Sequence, residues 1–302
     1  MGTITANELI KRAATQLQDP DHVRWSMAQL LDSLHDAQRD IVMRKPDAYT
    51  KSVSTVLTIS ECKQSLPSDA ILLLDITRNM GTDGSTLGRV PTRIERPVLD
   101  QQWPNWMTDT GAAEVQNYMY DEKDPLHYYV YPPQPAADPG YLELVYSAIP
   151  PPVILTWLPI ESFFTFSADW SGMKQYLALP TITNDHLYYH SGSGFSTEKT
   201  GTTEPTWPTV SGQTVVDGDI TWTEVDFDVP FPITLNDQYA MPILNYMLFK
   251  AFSVDANISP TSGQRATSHL QLYLSAIGAA EQAENIYDPN LQSPAKPSNR
   301  GV

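Results

Sequence analysis

The sequence predicts an α+β protein: a helical bundle formed by the N- and C-terminal helices, a β-rich middle region, and an inserted small all-β module. Three observations carry this. Apolar residues recur at helical spacing near both chain ends. Between 52 and 149 the pattern changes to runs of β-branched and aromatic residues. The stretch TTEPTWPTVSGQTVVDGDITWTEV at 202–225, dense in Trp, Pro, Gly and β-branched residues, then interrupts the chain before helical spacing returns.

The first helix is expected over about 5–18. Thr5 and Glu8 have the spacing of a capping box, and Ile4 and Leu9 that of a hydrophobic staple. Leu9, Ile10, Ala13, Ala14 and Leu17 make its apolar face, and Asp19-Pro20 ends it. A second helix over about 26–44 opens on Ser26 and Gln29, with Trp25 placed to staple onto Leu30. Met27, Leu30, Leu31, Leu34, Ala37 and Ile41 line one face until Lys45-Pro46.

Strands are expected within 52–149. VSTVLTI (53–59) is one, and QSLPSDAILLLDITRNMG (64–81) reads as a strand end, a turn and a short apolar element. GTDGSTLGR (81–89) is a loop, and RVPTRIER (89–96) an edge strand in which Pro91 withholds a ladder donor. VQNYMYDEKDPLHYYVYPP (115–133) is a hairpin turning at DEKD, and YLELVYSAI (141–149) is the last strand before a Pro-Pro-Pro stop. A helix over about 237–255 follows, with Leu244, Leu248, Ala251 and Phe252 on one face and a kink expected at Pro242. The last helix, about 262–284, opens on a Thr261/Gln264 box and carries Ala266, Leu270, Tyr273, Leu274 and Ile277. Residues 286–302 read as an extended, proline-bearing C-terminal tail. The main domain is thus expected at 1–156 with 231–285, and 157–230 is the inserted module.

Composition narrows the function classes. With 302 residues, 41% hydrophobic and 18% charged, the chain has the balance of a soluble globular protein, and no apolar run is long enough to span a bilayer. MGTITANELIKRAATQ lacks the apolar h-region of a secretory signal. Net charge is −16; residues 157–230 contribute half of it, with ten carboxylates against Lys174 and Lys199. A nucleic-acid grip needs clustered cations, and acidity of this kind repels DNA. The single cysteine, Cys62, excludes an internal disulfide and thiol-rich zinc sites, and its expected role is packing.

No catalytic constellation stands out. His186 and His190 in DHLYYH share a face if LYY is a strand, but no third metal ligand accompanies them. GTDGSTLG lacks the GK[ST] of a phosphate loop, and SGSGF (191–195) lacks the helix behind a nucleophile elbow. Asp217, Asp219 and Glu224 offer carboxylates for glycoside hydrolysis, yet VDGD is also an ordinary tight turn. Trp157, Trp170, Trp207 and Trp222 suit either a sugar-stacking platform or the core of a small β-unit. Trp170, Tyr189, Trp207 and Trp222 are the candidate core or contact surface of the module.

The flanks carry a resemblance. RWS (24–26), DAQRDIV (36–42), KPDAY (45–49), LPSDAILLLDITRNMG (66–81), RPVLDQQWPNW (96–106), DPLHYYVYPP (124–133), LELVYSAIPPPV (142–153), PITLNDQYAMPILNYMLFKAFSVDA (232–256) and RATSHLQLYLSAIG (265–278) follow one another as in tailed-phage head-to-tail adaptor proteins. The resemblance implies a structural virion subunit without catalysis or cofactor, made in the bacterial cytoplasm and placed at the capsid–tail junction. It implies a ring of copies, commonly twelve, beneath the portal protein, contacting tail-nozzle, tail-tube or tail-fibre proteins while double-stranded DNA passes without sequence-specific binding. It assigns portal docking to the tail, here Tyr287, Asp288, Pro289, Leu291, Pro294, Lys296 and Pro297. Shorter relatives join PPPV almost directly to PITL. WSGMKQY (170–176), DHLYYHSGSGF (185–195) and TEPTWP…DGDITW (203–222) resemble a small β-module recurring in phage tail-fibre and virion proteins. The alternative function is a carbohydrate- or host-surface-binding virion protein acting through that module.

Overall fold

Thr5 sits just outside the first helix, α1 (Ala6–Leu17), and its hydroxyl accepts the Glu8 N–H at 3.2 Å. Half of the expected box therefore forms, while the Glu8 carboxylate pairs with Arg12 one turn on. Leu9, Ile10, Ala13 and Ala14 are buried, and Gln18, in the left-handed region at φ 58°, ends the helix. Asp19 then accepts the N–H groups of Val23, Arg24 and Trp25 (2.8–2.9 Å), which holds its carboxyl below the usual range. α2 (Met27–Arg44) follows, with Ser26 Oγ accepting from Gln29 N and Leu30, Leu31, Leu34, Ala37 and Ile41 buried.

The computed structural model describes residues 3–121, 123–157, 159, 176–182, 184, 186–190, 198–225, 232–256 and 259–287. The chain divides into two compact units, Arg39–Pro150 and Met1–Gln38 with Pro151–Val302.

Arg39–Pro150 holds two sheets. β1 (Thr50–Val56), β7 (Tyr141–Ala148) and β3 (Ala70–Asn79) form an antiparallel sheet in the order β1-β7-β3. Of the stretch 64–81, the strand end forms as β2 (Lys63–Ser65) and the turn closes with Ala70 N donating to Pro67 O at 3.0 Å. The expected short apolar element is instead the ten-residue strand β3, which stays paired by absorbing three register shifts. β2 (Lys63–Ser65), β6 (His127–Tyr131), β5 (Asn117–Tyr120) and the two-residue edge β4 (Thr92–Arg93) make the second sheet, with DEKD joining β5 to β6. Only β4 runs parallel to its neighbour. Residues 96–102 form a short helix, α3 (Arg96–Gln102), whose first turn accommodates Pro97 because that N–H has no intrahelical partner anyway. Leu57, Leu73, Ile76, Tyr128, Val130, Leu142, Leu144 and Tyr146 form the main core of this unit. Cys62, Trp106 and Met119 form a smaller cluster.

In the other unit the N-terminal segment meets the stretch that leads into and through α4 (Ala240–Val254). Thr3 N, Thr3 Oγ1 and Ile4 N donate to the Asp237 carboxylate at 2.7, 2.7 and 3.0 Å, and Ile233 N donates to Ile4 O. Gln38 Oε1 accepts Thr234 N, Lys250 pairs with Asp36 at 3.1 Å, and Arg24 pairs with Asp255. β8 (Leu155–Thr156), β9 (Tyr176–Leu179), β10 (Leu187–His190), β11 (Thr214–Asp217) and β12 (Ile220–Val225) make a sheet ordered β11-β12-β10-β9-β8, with β8 parallel to β9. This sheet reaches back to residue 155, ahead of the expected start of the module.

The helices differ from expectation in two places. A 3₁₀ turn at Asp237–Tyr239, capped by Asn236, precedes α4 (Ala240–Val254), so Pro242 lies in the first turn, where it removes no intrahelical bond. α5 (Pro260–Tyr287) begins on Pro260 with Ser259 O accepting the next N–H groups, which puts Thr261 inside the helix rather than at its cap. Ala266, Tyr273 and Ile277 are buried as the spacing predicts, but Leu274 is 43% exposed and Leu272 52%. Among the described residues no helix is long and apolar enough to cross a membrane.

Candidate functional site

The five-stranded sheet gathers most of the chemistry-bearing residues singled out in the sequence. β11 and β12 are joined by Gly218-Asp219, with Gly218 at φ 64°. A Cβ on Gly218 would lie 2.5 Å from Lys199 O, so this turn needs glycine both for its backbone angle and for close approach. The turn delivers Asp217 to the interior. Its Oδ2 accepts the indole N–H of Trp157 at 2.7 Å and of Trp222 at 3.1 Å, and its Oδ1 accepts Gly201 N at 2.7 Å. A carboxylate buried under three donors is a structural acceptor, and a glycosidase acid or nucleophile needs access that this one lacks. Asp219 is exposed and accepts Lys199 N at 3.4 Å.

His186 and His190 are held apart in chemistry. His186 Nδ1 meets Glu224 Oε1 at 2.7 Å, whereas His190 places Nδ1 on Thr221 O at 2.9 Å and Nε2 on Glu198 Oε2 at 3.0 Å. Each ring has its own carboxylate, and among the described residues no group of three or more His, Cys, Asp or Glu is placed to hold a metal.

The tryptophans pack. Trp222 is fully buried, with Ala178, Tyr188 and Ile220. Trp207 is half-buried, its ring 4.3 Å from Tyr188 and 6.1 Å from Trp222 between centroids. Its indole N–H donates to Glu204 Oε1 at 2.8 Å, and the same oxygen accepts Thr181 N. The Tyr188 hydroxyl donates to Pro208 O and accepts from Asn184 Nδ2, both at 2.7 Å, which pins TEPTWP onto the sheet. Both indoles therefore take part in packing, Trp222 fully buried and Trp207 half-buried against it. Tyr189 alternates to the other face of β10 and is half-buried; Trp170 lies outside the described residues. Tyr188 and the Trp157–Asp217 bond escaped the sequence reading. Period-two alternation in LYYH identifies one inward tyrosine but not which, and a bond across sixty residues has no local signal.

The C-terminal helices form a second candidate surface. Tyr246 of α4 meets Tyr273 of α5 edge-on at 5.1 Å, and Phe252 stacks on His269 at 5.7 Å with Arg265 over the same phenyl ring. Burial, and then the Arg265 charge, lower the His269 pKa below 6.5. Of the proposed docking tail, Tyr287 belongs to α5 rather than to an extended segment, while Asp288, Pro289, Leu291, Pro294, Lys296 and Pro297 lie outside the described residues.

Within Arg39–Pro150, an open cleft of about 750 Å³ is lined by Arg93, Arg96, Tyr120, Lys123 and Tyr129, among others, with the Arg96 guanidinium 4.6 Å above the Tyr129 ring. Cys62 is buried with Trp106 and Met119, and burial, with the Asp109 charge, pushes its thiol up to about 11, so at neutral pH it is a packed thiol and no nucleophile.

A family model described as SU10 adaptor protein matches residues 4–178, more than half of the chain. The match includes all of Arg39–Pro150 and ends inside β9, without reaching α4 or α5. No curated protein matches the chain.

Proposed function

We propose that this chain, which belongs to the SU10 adaptor protein family, is a phage structural adaptor that assembles as a ring between portal and tail and surrounds the path of the exiting DNA. The family match carries the reading, because it spans the N-terminal helices and both sheets of Arg39–Pro150 together. The chemistry of the described residues supports it. Asp217, Glu224, His186 and His190 are engaged in internal hydrogen bonds, which supports a structural role for the residues singled out as catalytic candidates. A net charge of −16 suits a channel wall that DNA must slide past without adhering. A closed ring needs a heterologous interface, with two different faces of each copy meeting. The helical pair α4/α5 offers one such face, since Ala266, Tyr273 and Ile277 of α5 are buried while Leu272 and Leu274 are left exposed. Twelve copies, a portal contact through residues 286–302, and a decorating role for residues 157–230 belong to this proposal.

Mixing the full chain with the portal protein of its own phage and imaging by cryo-electron microscopy tests it. A ring of this chain beneath the portal is the expected result. A chain that stays free of portal at micromolar concentration overturns the assignment of partner.

A further inference from the structure

The sheet β1-β7-β3 has two edges that are treated differently. β3 is broken by three register shifts, its Leu73 N–H is taken by the Tyr120 hydroxyl at 3.2 Å, and its Asn79 N–H by Arg89 O at 2.9 Å. These are the usual ways of blunting an edge. Among the described residues β1 has none of them. TKSVSTV runs seven residues in unbroken register with β7, without proline, glycine or bulge. Its one charge, Lys51, is drawn to Asp69 at 3.1 Å.

The register shows what that edge offers. Ala148 N donates to Tyr49 O and Leu57 N to Gly140 O, so the odd-numbered residues of β1 face β7. Thr50, Ser52, Ser54 and Val56 therefore turn their N–H and C=O groups outward, and all four are exposed. Val53 lies directly opposite Leu144, a fully buried core residue, yet is itself 40% exposed. The core face of the sheet ends on a 40% exposed valine beside backbone groups that, among the described residues, have no partner strand.

We propose that β1 is a self-pairing edge, on which a second copy of this chain lays its own β1 antiparallel, centred on Val53. The strand is self-complementary about that residue. Ser52 falls opposite Ser54 of the second copy, Thr50 opposite Val56, and Lys51 opposite Thr55, so the two lysines never face each other. The two Val53 side chains meet on the core face, in a non-hydrogen-bonded pair with Cα atoms about 4.5 Å apart. The product is a six-stranded sheet, β3-β7-β1 continued through its two-fold copy. Neighbours in a cyclic ring are not related by such a two-fold axis. The pair is thus a soluble form that covers the edge before assembly, separate from the ring proposed above.

Sedimentation of the full-length chain over a concentration series tests this. A monomer–dimer equilibrium is expected, weakened on the order of tenfold or more by Val53→Lys, which sets two like charges opposite each other. Ser52→Pro is expected to do the same, because it removes an outward N–H and no β7 bond; unchanged circular dichroism would show that both variants fold. On oxidation Val53→Cys is expected to give a covalent dimer and Thr55→Cys to give none, since the latter lies opposite Lys51. A chain that is monomeric at all concentrations, a dimer that survives both substitutions, or equal cross-linking at 53 and 55 overturns the proposal. Rings on portal that form regardless of these substitutions leave the adaptor reading standing even if the pair is absent.

Discussion

The sheet β1-β7-β3 and the sheet β11-β12-β10-β9-β8 are built from similar strands but held together by different means. The first rests on a broad apolar core that includes Leu57, Leu73, Ile76, Leu142, Leu144 and Tyr146. The second, among the described residues, clusters Ala178, Tyr188, Ile220 and Trp222, and adds a buried carboxylate that ties Trp157, Trp222 and Gly201 together. A small sheet has too little apolar area to offset the entropy of ordering it, so large aromatic rings and directional bonds make up the difference. The difference teaches where each is vulnerable: the first to lost volume, the second to a lost acceptor.

Leu144→Ala and Asp217→Asn break the comparison from its two sides. Truncating Leu144 opens a cavity in the larger core and is expected to destabilise by about 2–5 kcal/mol. Asp217→Asn keeps the shape but turns an amide NH₂ toward donors, and is expected to destabilise by about 3 kcal/mol. Hydrogen exchange separates the two. Leu144→Ala should loosen amides of β1, β3 and β7 and spare β11 and β12, and Asp217→Asn should do the opposite. Equal loosening of both regions by either variant would mean that they unfold as one.

Two glycines of the same sheet region sharpen the point on a smaller scale. Gly212 and Gly218 both have positive φ, at 79° and 64°. A Cβ on Gly212 meets nothing within 4 Å, whereas one on Gly218 meets backbone of residues 199–201 at 2.5–2.8 Å. Gly212→Ala should therefore show only the left-handed penalty, about 1 kcal/mol. Gly218→Ala should add a steric clash, for a total of about 2 kcal/mol or more. Denaturant midpoints of the two variants, compared at equal slope, measure the difference.

The smallest effect is a pH dependence in the helical pair. The folded state lowers the His269 pKa below its ordinary 6.5 through burial and Arg265. Above pH 6.5 both folded and unfolded chains carry the neutral ring and stability is unaffected. As pH falls below 6.5 the unfolded chain takes up the proton first, so stability declines until the folded pKa is passed. Melting temperatures from pH 8 to 5 should show this decline, and His269→Asn should flatten that part of it. An unchanged profile in the variant would mean that other groups set the slope.

The sequence by itself determined the α+β class, the helical periodicity of both ends, the Thr5 and Ser26 caps and the VDGD turn, because each depends on residues within one or two turns of each other. Tertiary structure alone decided the rest. β3 became a long bulged strand because β7 was there to pair with it, and Leu274 stayed exposed because α4 covers a narrower stripe of α5 than periodicity assigns. Pro242 fell in a first turn because Asn236 capped a 3₁₀ segment ahead of it. The candidate site followed the same division. The sequence marked Asp217, Trp207 and Trp222 as unusual, but whether they were chemistry or packing depended on Trp157, sixty residues away, donating to the same carboxylate. Spacing along a chain encodes local periodicity, and the long-range contacts that settle burial and hydrogen-bond partners have no fixed spacing to read.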